Sequence, residues 1–370
     1  MAHSIRRQNV LTHPKKSGNL ASSLGVLLHT AVAAVRKFLH TNTVLAIALV
    51  AAIGTSFVVP PDAKYLGYFD FKTLTCLFCT LACICALRNI KFFVTLARRI
   101  IMLCKNAKLC VLTLVYITFI GSMFLANDMA LLTFLPLGFM VLQSAKQEKY
   151  MAFTFVMQNI AANLGGMLTP FGNPQNLYIY SKFNIPTGEF MSIMVLPFAV
   201  SIAVITACCL IFVKSEPLAI ENDDVVINRR RAAIYLALFA LSVVIVFRLI
   251  PYQIGLVLVP LALLFLDRDA LKKVDYPLLL TFCAFFVFAG NMARIPMVQA
   301  FFGWLLEKNT LLVSALSCQV ISNVPSAVLL SQFTDNYREL LLGVNIGGAG
   351  PLIASLASLI TFREYIKPIQ

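Results

Sequence analysis

The chain has 370 residues, of which 59% are hydrophobic and only 12% charged, with a mean hydropathy of +0.84. That balance excludes an ordinary soluble domain and points to an all-α polytopic membrane protein. The net charge of +14 comes from Lys and Arg in short clusters between apolar runs rather than along one face. It therefore argues for positive-inside topology in a lipid bilayer and against a nucleic-acid partner.

Residues 1–42 read as a basic cytoplasmic tail and an interfacial helix, the latter at 20–38 and ending on Arg36 and Lys37. All four histidines (His3, His13, His29 and His40) fall here, which removes His-dependent catalysis from the membrane and argues against an enzyme. Spans are expected at about 43–60 and 68–87, each near the ~20 residues needed to cross. Cys76, Cys79, Cys83 and Cys85 in the second of these read as small packing residues, with no imidazole nearby to complete a metal site. From Arg88 to Lys108 cations alternate with bulky apolar residues, the pattern of an amphipathic surface helix. Arg88 and Arg294, near span ends, read as snorkelling side chains.

The stretch 108–145 is hydrophobic except for Asn127 and Asp128 near its middle, and both its ends are basic. A hairpin that dips to mid-membrane and returns keeps both ends on the positive side, which a straight span does not. A broken helix at 149–181 follows, containing NLGGMLTPFGNPQN from Asn163 to Asn176, and then a span at 188–213. Residues 43–213 thus form a first repeat. The loop 214–231 closes on Arg229, Arg230 and Arg231 and is placed in the cytoplasm.

Residues 232–370 hold a linking span and a second, inverted repeat. Spans at 232–250 and 252–266 turn at Pro251; a charged loop at 267–273 and a span at 275–293 follow. The second hairpin, 309–334, has Ser322 and Asn323 at its tip and no positive excess at its ends, so it is expected to enter from the opposite side. The second broken helix, 340–361, contains NIGGAGPLIAS from Asn345 to Ser355. Eight spans and two re-entrant hairpins leave both termini in the cytoplasm, in a plasma (inner) membrane.

Non-helical backbone in lipid persists only where something polar has to be held. Gly165, Gly166, Gly172, Gly347, Gly348 and Gly350 permit irregular backbone, and Pro170, Pro174 and Pro351 interrupt the helical ladder. Carbonyls freed at the breaks suit a hard cation. Half-helix N-termini and the amides of Asn127 and Asn323 suit an anion. Asp128, an acid in the middle of a buried hairpin, has three readings: a sodium ligand, a carrier of a coupling proton, or a cap on a helix starting at Met129. Asn163, Thr169, Asn173, Asn176, Pro325, Ser326, Asn345 and Ser355 complete the candidate set. Thr133 and Ser358 are hydroxyls that also back-bond readily within a helix.

The Asn-bearing tip followed by NLGGMLTPFGNPQN, recurring as SNVPS followed by NIGGAGPLIAS, resembles the ion transporter superfamily over roughly residues 43–365. That group includes citrate-transporter-like permeases, arsenite permeases, sodium-coupled dicarboxylate and sulfate carriers, and a sodium–proton antiporter branch. The resemblance implies sodium at Asn127, Asp128 and Asn163 and at Ser322, Asn323 and Asn345, with a small anionic substrate between the halves. It also implies an elevator-like motion and a homodimer. No cofactor is expected beyond sodium ions or protons for coupling, since no phosphate-binding loop motif is present. A sodium–proton antiporter or an arsenite/metalloid permease is the alternative. The tip Ala126-Asn127-Asp128 and the GNPQN stretch both depart from the Ser-Asn-Thr and GDPPN forms of relatives in that superfamily.

Overall fold

The computed structural model describes residues 42–217 and 227–366, and among them the regular structure is helical, with no strand and one isolated bridge between Asn106 and Pro217. The interfacial helix expected at 20–38, the four histidines, the acidic part of the 214–231 loop and residue 367 lie outside the described residues. The chain divides into two compact units, Met1–Ile47, described from Asn42 as the opening of the first helix, and Ala48–Gln370, which contains every contact considered below.

In chain order the first elements are α1 (Thr43–Val58), α2 (Phe71–Asn89), the amphipathic α3 (Phe92–Ile101), α4 (Ala107–Leu125) and α5 (Asn127–Ser144). Then come α6 (Met151–Gly165), a 3-10 turn at Gly166–Leu168, α7 (Pro174–Lys182) and α8 (Thr187–Phe212). The rest comprises α9 (Arg229–Val246), α10 (Tyr252–Leu266), α11 (Arg268–Lys272), α12 (Tyr276–Met292), α13 (Pro296–Ile321), α14 (Asn323–Leu330), α15 (Tyr337–Gly348) and α16 (Leu356–Tyr365). Short polar side chains start many of them: Asp70 accepts the Thr73 N–H at 3.0 Å, Asn106 that of Leu109 at 2.8 Å and Asp275 that of Leu278 at 2.9 Å.

Among the described residues α2, α4 and α8 are each long and apolar enough to cross a membrane alone, and α12 with α13 does so as a pair bent by 98°. α1 and α10 are shorter apolar helices. The outward surface is apolar: Leu196 is 71% exposed, Ile211 73% and Phe265 77%. Water does not tolerate such faces over whole helices, whereas hydrocarbon does. The apolar helices, exposed in this way, are those of a polytopic membrane protein.

One order of elements recurs. α4 and α5 meet at a single residue, Ala126, and are followed by the interrupted helix α6–α7; α13 and α14 meet at Ser322 and are followed by the interrupted helix α15–α16. α4 packs along α6, and α13 along α15. Beyond each interruption the chain crosses to the other half, α7 packing on α14 and α15 and α16 on α5 and α6. α13 is two helices joined at Asn309, whose extended backbone (φ −165°, ψ 92°) breaks the first and whose side chain accepts the Leu312 N–H at 2.8 Å to cap the second, so a helix starts at 309 as expected.

The cysteines of α2 are buried, free thiols packed in the core. Arg294 forms a two-pronged pair with Asp62, at 3.1 and 2.8 Å, and also donates to the Tyr68 hydroxyl at 3.1 Å. Together these tie the α1–α2 linker to the α12–α13 bend.

Candidate functional site

Both tips carry strained backbone. Ala126 has φ 57°, ψ 144° and Ser322 has φ 73°, ψ 160°, a region that residues with a Cβ rarely enter. Each places an Asn as the first residue of the next helix. Glycine plays a different part from the one expected: among the described residues no glycine has positive φ. A Cβ on Gly165 would sit 2.1 Å from the Phe119 carbonyl oxygen, and one on Gly347 2.7 Å from that of Ala315. These glycines let α6 close on α4 and α15 on α13.

The buried asparagines of the two interruptions form one network. Asn127 Nδ2 donates to Asn163 Oδ1 at 3.1 Å, and Asn163 Nδ2 donates to the Asn159 carbonyl at 3.0 Å. Asn159 Nδ2 in turn donates to Ser358 Oγ of α16 at 3.0 Å, and Ser358 contacts Ser355 Oγ at 3.2 Å and the Gly350 carbonyl at 3.4 Å. A second branch leaves Asn173, whose Nδ2 donates to the Asn163 carbonyl at 3.1 Å and to Asn345 Oδ1 at 3.2 Å. Asn345 Nδ2 donates to Asn176 Oδ1 at 2.6 Å and to the Leu341 carbonyl at 2.8 Å. Asn176 Nδ2 lies 3.3 Å from the Gly166 and Met167 carbonyls, which the break frees. Asn173 and Asn176 thus grip Asn345 from across the halves.

Several sequence expectations change in detail. Asp128 does not cap: it lies inside the first turn of α5, whose N-cap is Ala126 with no side-chain bond. Asn176 lies within α7, and Asn173 stands at its N-cap without making a capping bond. Thr133 back-bonds to the Met129 carbonyl at 2.7 Å, while Thr169 Oγ1 donates to the Met123 carbonyl at 2.7 Å and fastens the break to the first tip. Gly172 abuts Gly166, Pro170 is buried in the break, and Pro325 is buried in α14. Pro351 is exposed and lines, with Asn159 and Ser358, a cavity at the second break. Asn127 is hydrogen-bonded to Asn163 in the first half, whereas the Asn345 amide bonds to Asn176 and the Leu341 carbonyl rather than to Ser322 or Asn323. Arg88 donates to the Met129 thioether at 3.3 Å.

The second tip is fastened by backbone, the Asn323 N–H donating to the Ala354 carbonyl at 2.9 Å. Its Oδ1 accepts the Val324 N–H at 2.9 Å, which leaves Nδ2 buried without a partner. The Ser326 hydroxyl is also buried, beside the Cys318 thiol. Around the first interruption the unpartnered atoms are acceptors, Asp128 Oδ1, Asn173 Oδ1 and Gln175 Oε1. Buried polar atoms are rarely left unbonded, so these have bonding capacity to spare for a ligand or water. The acceptors suit a cation and the donor an anion.

Asn159, Ser358 and Gln319 join this site although the motifs did not single out Asn159 or Gln319. Asn159 precedes Asn163 by four residues on one helix face, a spacing visible in the sequence. Gln319 Nε2 donates to the Gly347 carbonyl at 2.9 Å and braces the second break. Where Asn159 meets Ser358 and Gly350 lies a cavity of about 360 Å³, walled on its apolar side by Phe155, Phe362 and Tyr365.

Residues 30–357 match the sequence pattern of the family described as citrate transporter. The chain is 33% identical over 295 residues to an uncharacterized transporter of Methanocaldococcus jannaschii, covering 80% of this chain and 81% of that protein. It is 28% identical over 321 residues to the inner membrane protein YbiR of Escherichia coli K12, covering 85% and 86% respectively.

Proposed function

The chain belongs to the citrate transporter family, and from that premise we propose that this membrane transporter is a secondary active carrier of a small anion, a carboxylate or an inorganic oxyanion, coupled to sodium or protons. In this reading α4–α5 and α13–α14 act as re-entrant hairpins of an inverted pair, and the two interrupted helices hold the transported species between them. The observation that carries it is the sorting of unpartnered buried atoms: acceptors Asp128 Oδ1, Asn173 Oδ1 and Gln175 Oε1 by the first break, and the donor Asn323 Nδ2 at the second tip. The cation is received by the acceptors and the anion by the donor, with the Asn173–Asn345–Asn176 grip keeping them in register. The cavity at Asn159 and Ser358 supplies room for the substrate. Motion of tips and broken helices together, in the manner of an elevator, exposes the site to either side in turn.

The test is uptake of labelled carboxylates and oxyanions into proteoliposomes under imposed sodium or pH gradients. Gradient-driven accumulation is expected for the wild type. Asp128→Asn is expected to lower accumulation by about tenfold or more and to flatten its dependence on sodium or pH, the loss of one buried charged ligand. Full transport by that variant with unchanged coupling would remove Asp128 from the mechanism.

A second reading rests on a specific feature. No Lys, Arg or His is hydrogen-bonded into the asparagine network among the described residues, while an acid, Asp128, stands at its edge. A sodium–proton antiporter or a permease for a neutral metalloid hydroxide fits that charge pattern. Proton movement on addition of sodium in the absence of any anion distinguishes it.

A further inference from the structure

A second cavity, of about 230 Å³, lies between α3 and α5 and is lined by Arg88 and Lys91 on one side and by Phe93, Leu132, Pro136 and Met140 on the other. Two cations face it. The half-buried Arg88 guanidinium has the Met129 sulfur as its hydrogen-bond partner, and among the described residues neither Arg88 nor Lys91 pairs with a carboxylate. A thioether is a weak acceptor, so the fork of Arg88 remains largely unused. Lys91 is held at the cavity by a left-handed backbone (φ 55°) at the start of α3.

The remaining walls are apolar apart from Thr133, whose hydroxyl is bonded to the Met129 carbonyl, and α3 presents exposed apolar side chains beside the cavity. α3 buries Thr95, Ala97 and Ile101 inward while Leu96 and Ile100 are exposed, and Met102 and Leu103 continue that apolar face. Pro136 adds one more feature: lacking an N–H, it cannot bond the carbonyl four residues earlier, that of Leu132, itself a lining residue. The cavity therefore offers two cations for a phosphate and a largely apolar wall beside the amphipathic α3.

We propose that this cavity binds the headgroup of an anionic phospholipid, with the phosphate on Arg88 and Lys91 and an acyl chain along Phe93, Leu132, Pro136 and Met140. Basic pockets between membrane helices are suited to such headgroups, and a soluble anion gains nothing from the apolar wall. The site is separate from the asparagine network, and its test does not depend on which substrate is carried. It touches the first tip through Met129, the residue after Asp128.

Native mass spectrometry of the full chain, purified in detergent and supplied with phosphatidylglycerol, phosphatidylcholine or inorganic phosphate, tests it. Retention of phosphatidylglycerol over phosphatidylcholine is expected, falling about tenfold or more in Arg88→Gln/Lys91→Gln as two charge contacts are lost. Lys272→Gln, an exposed charge elsewhere, is expected to leave retention unchanged. Should the double variant fold poorly, Leu132→Trp fills the cavity with both charges in place and is expected to lose the lipid as well. Equal retention of both lipids, undiminished phosphatidylglycerol in either cavity variant, or displacement of the lipid by inorganic phosphate would each overturn the proposal.

Discussion

The strained residues sit at the tips, not at the glycine-rich breaks. Ala126 and Ser322 hold backbone that costs about 1–3 kcal/mol for a residue with a Cβ. Replacing either by Gly removes that cost but adds about 0.4–1 kcal/mol of unfolded-state freedom. Ser322→Gly is therefore expected to be stabilising by about 1 kcal/mol, seen as a higher melting temperature in detergent. A lower one would mean that the Ser322 conformation is not strained. The asparagines that the network joins were conspicuous in the sequence, because Asn inside apolar runs is rare. It did not mark their partners: nothing in the order of residues says that Asn173 and Asn176 reach Asn345 rather than the tip of their own half.

Among the elements, helix bounds follow the caps and the apolar runs closely, since polar residues that start a helix also mark the edge of hydrocarbon. The interruptions were legible as interruptions, but the glycines within them were read as sources of conformational freedom. They serve close approach instead, which is a property of what lies opposite and not of the local sequence. Gly165→Ala is accordingly expected to destabilise by about 1–3 kcal/mol, because its methyl meets backbone that has no rotamer to change. Gly54→Ala, with open space around it in α1, is expected to be neutral or stabilising by up to about 1 kcal/mol. Paired thermal melts of the two variants check this, and equal shifts would contradict the packing role.

For the whole molecule, the class of protein was legible from composition and the family from the doubled motif, whereas the exchange of α7 and α16 between the halves was not, because it is set by packing across more than 150 residues. The Asp62–Arg294 pair adds a pH dependence at the outer edge of this assembly. The Arg294 hydrogen bond holds the Asp62 carboxyl below its ordinary value. A depressed carboxylate contributes stability that is present above the unfolded-state value, about 4, and is lost as pH falls through the folded one. Asp62→Asn is expected to remove that component, so wild type and variant should converge in melting temperature as pH is taken from 6 to below about 3. A constant gap between them across that range would show that the pair contributes nothing through Asp62.

The grip of Asn173 and Asn176 on Asn345 also has a consequence in time. A chain made from its N-terminus inserts the first break long before Asn345 exists, since 172 residues separate Asn173 from it. During that interval two amides wait in the membrane without their final partners. The nascent first half is thus an unfinished article until its last helices arrive, and a ribosome that stops short leaves behind a polar wound in the bilayer that quality control can recognise.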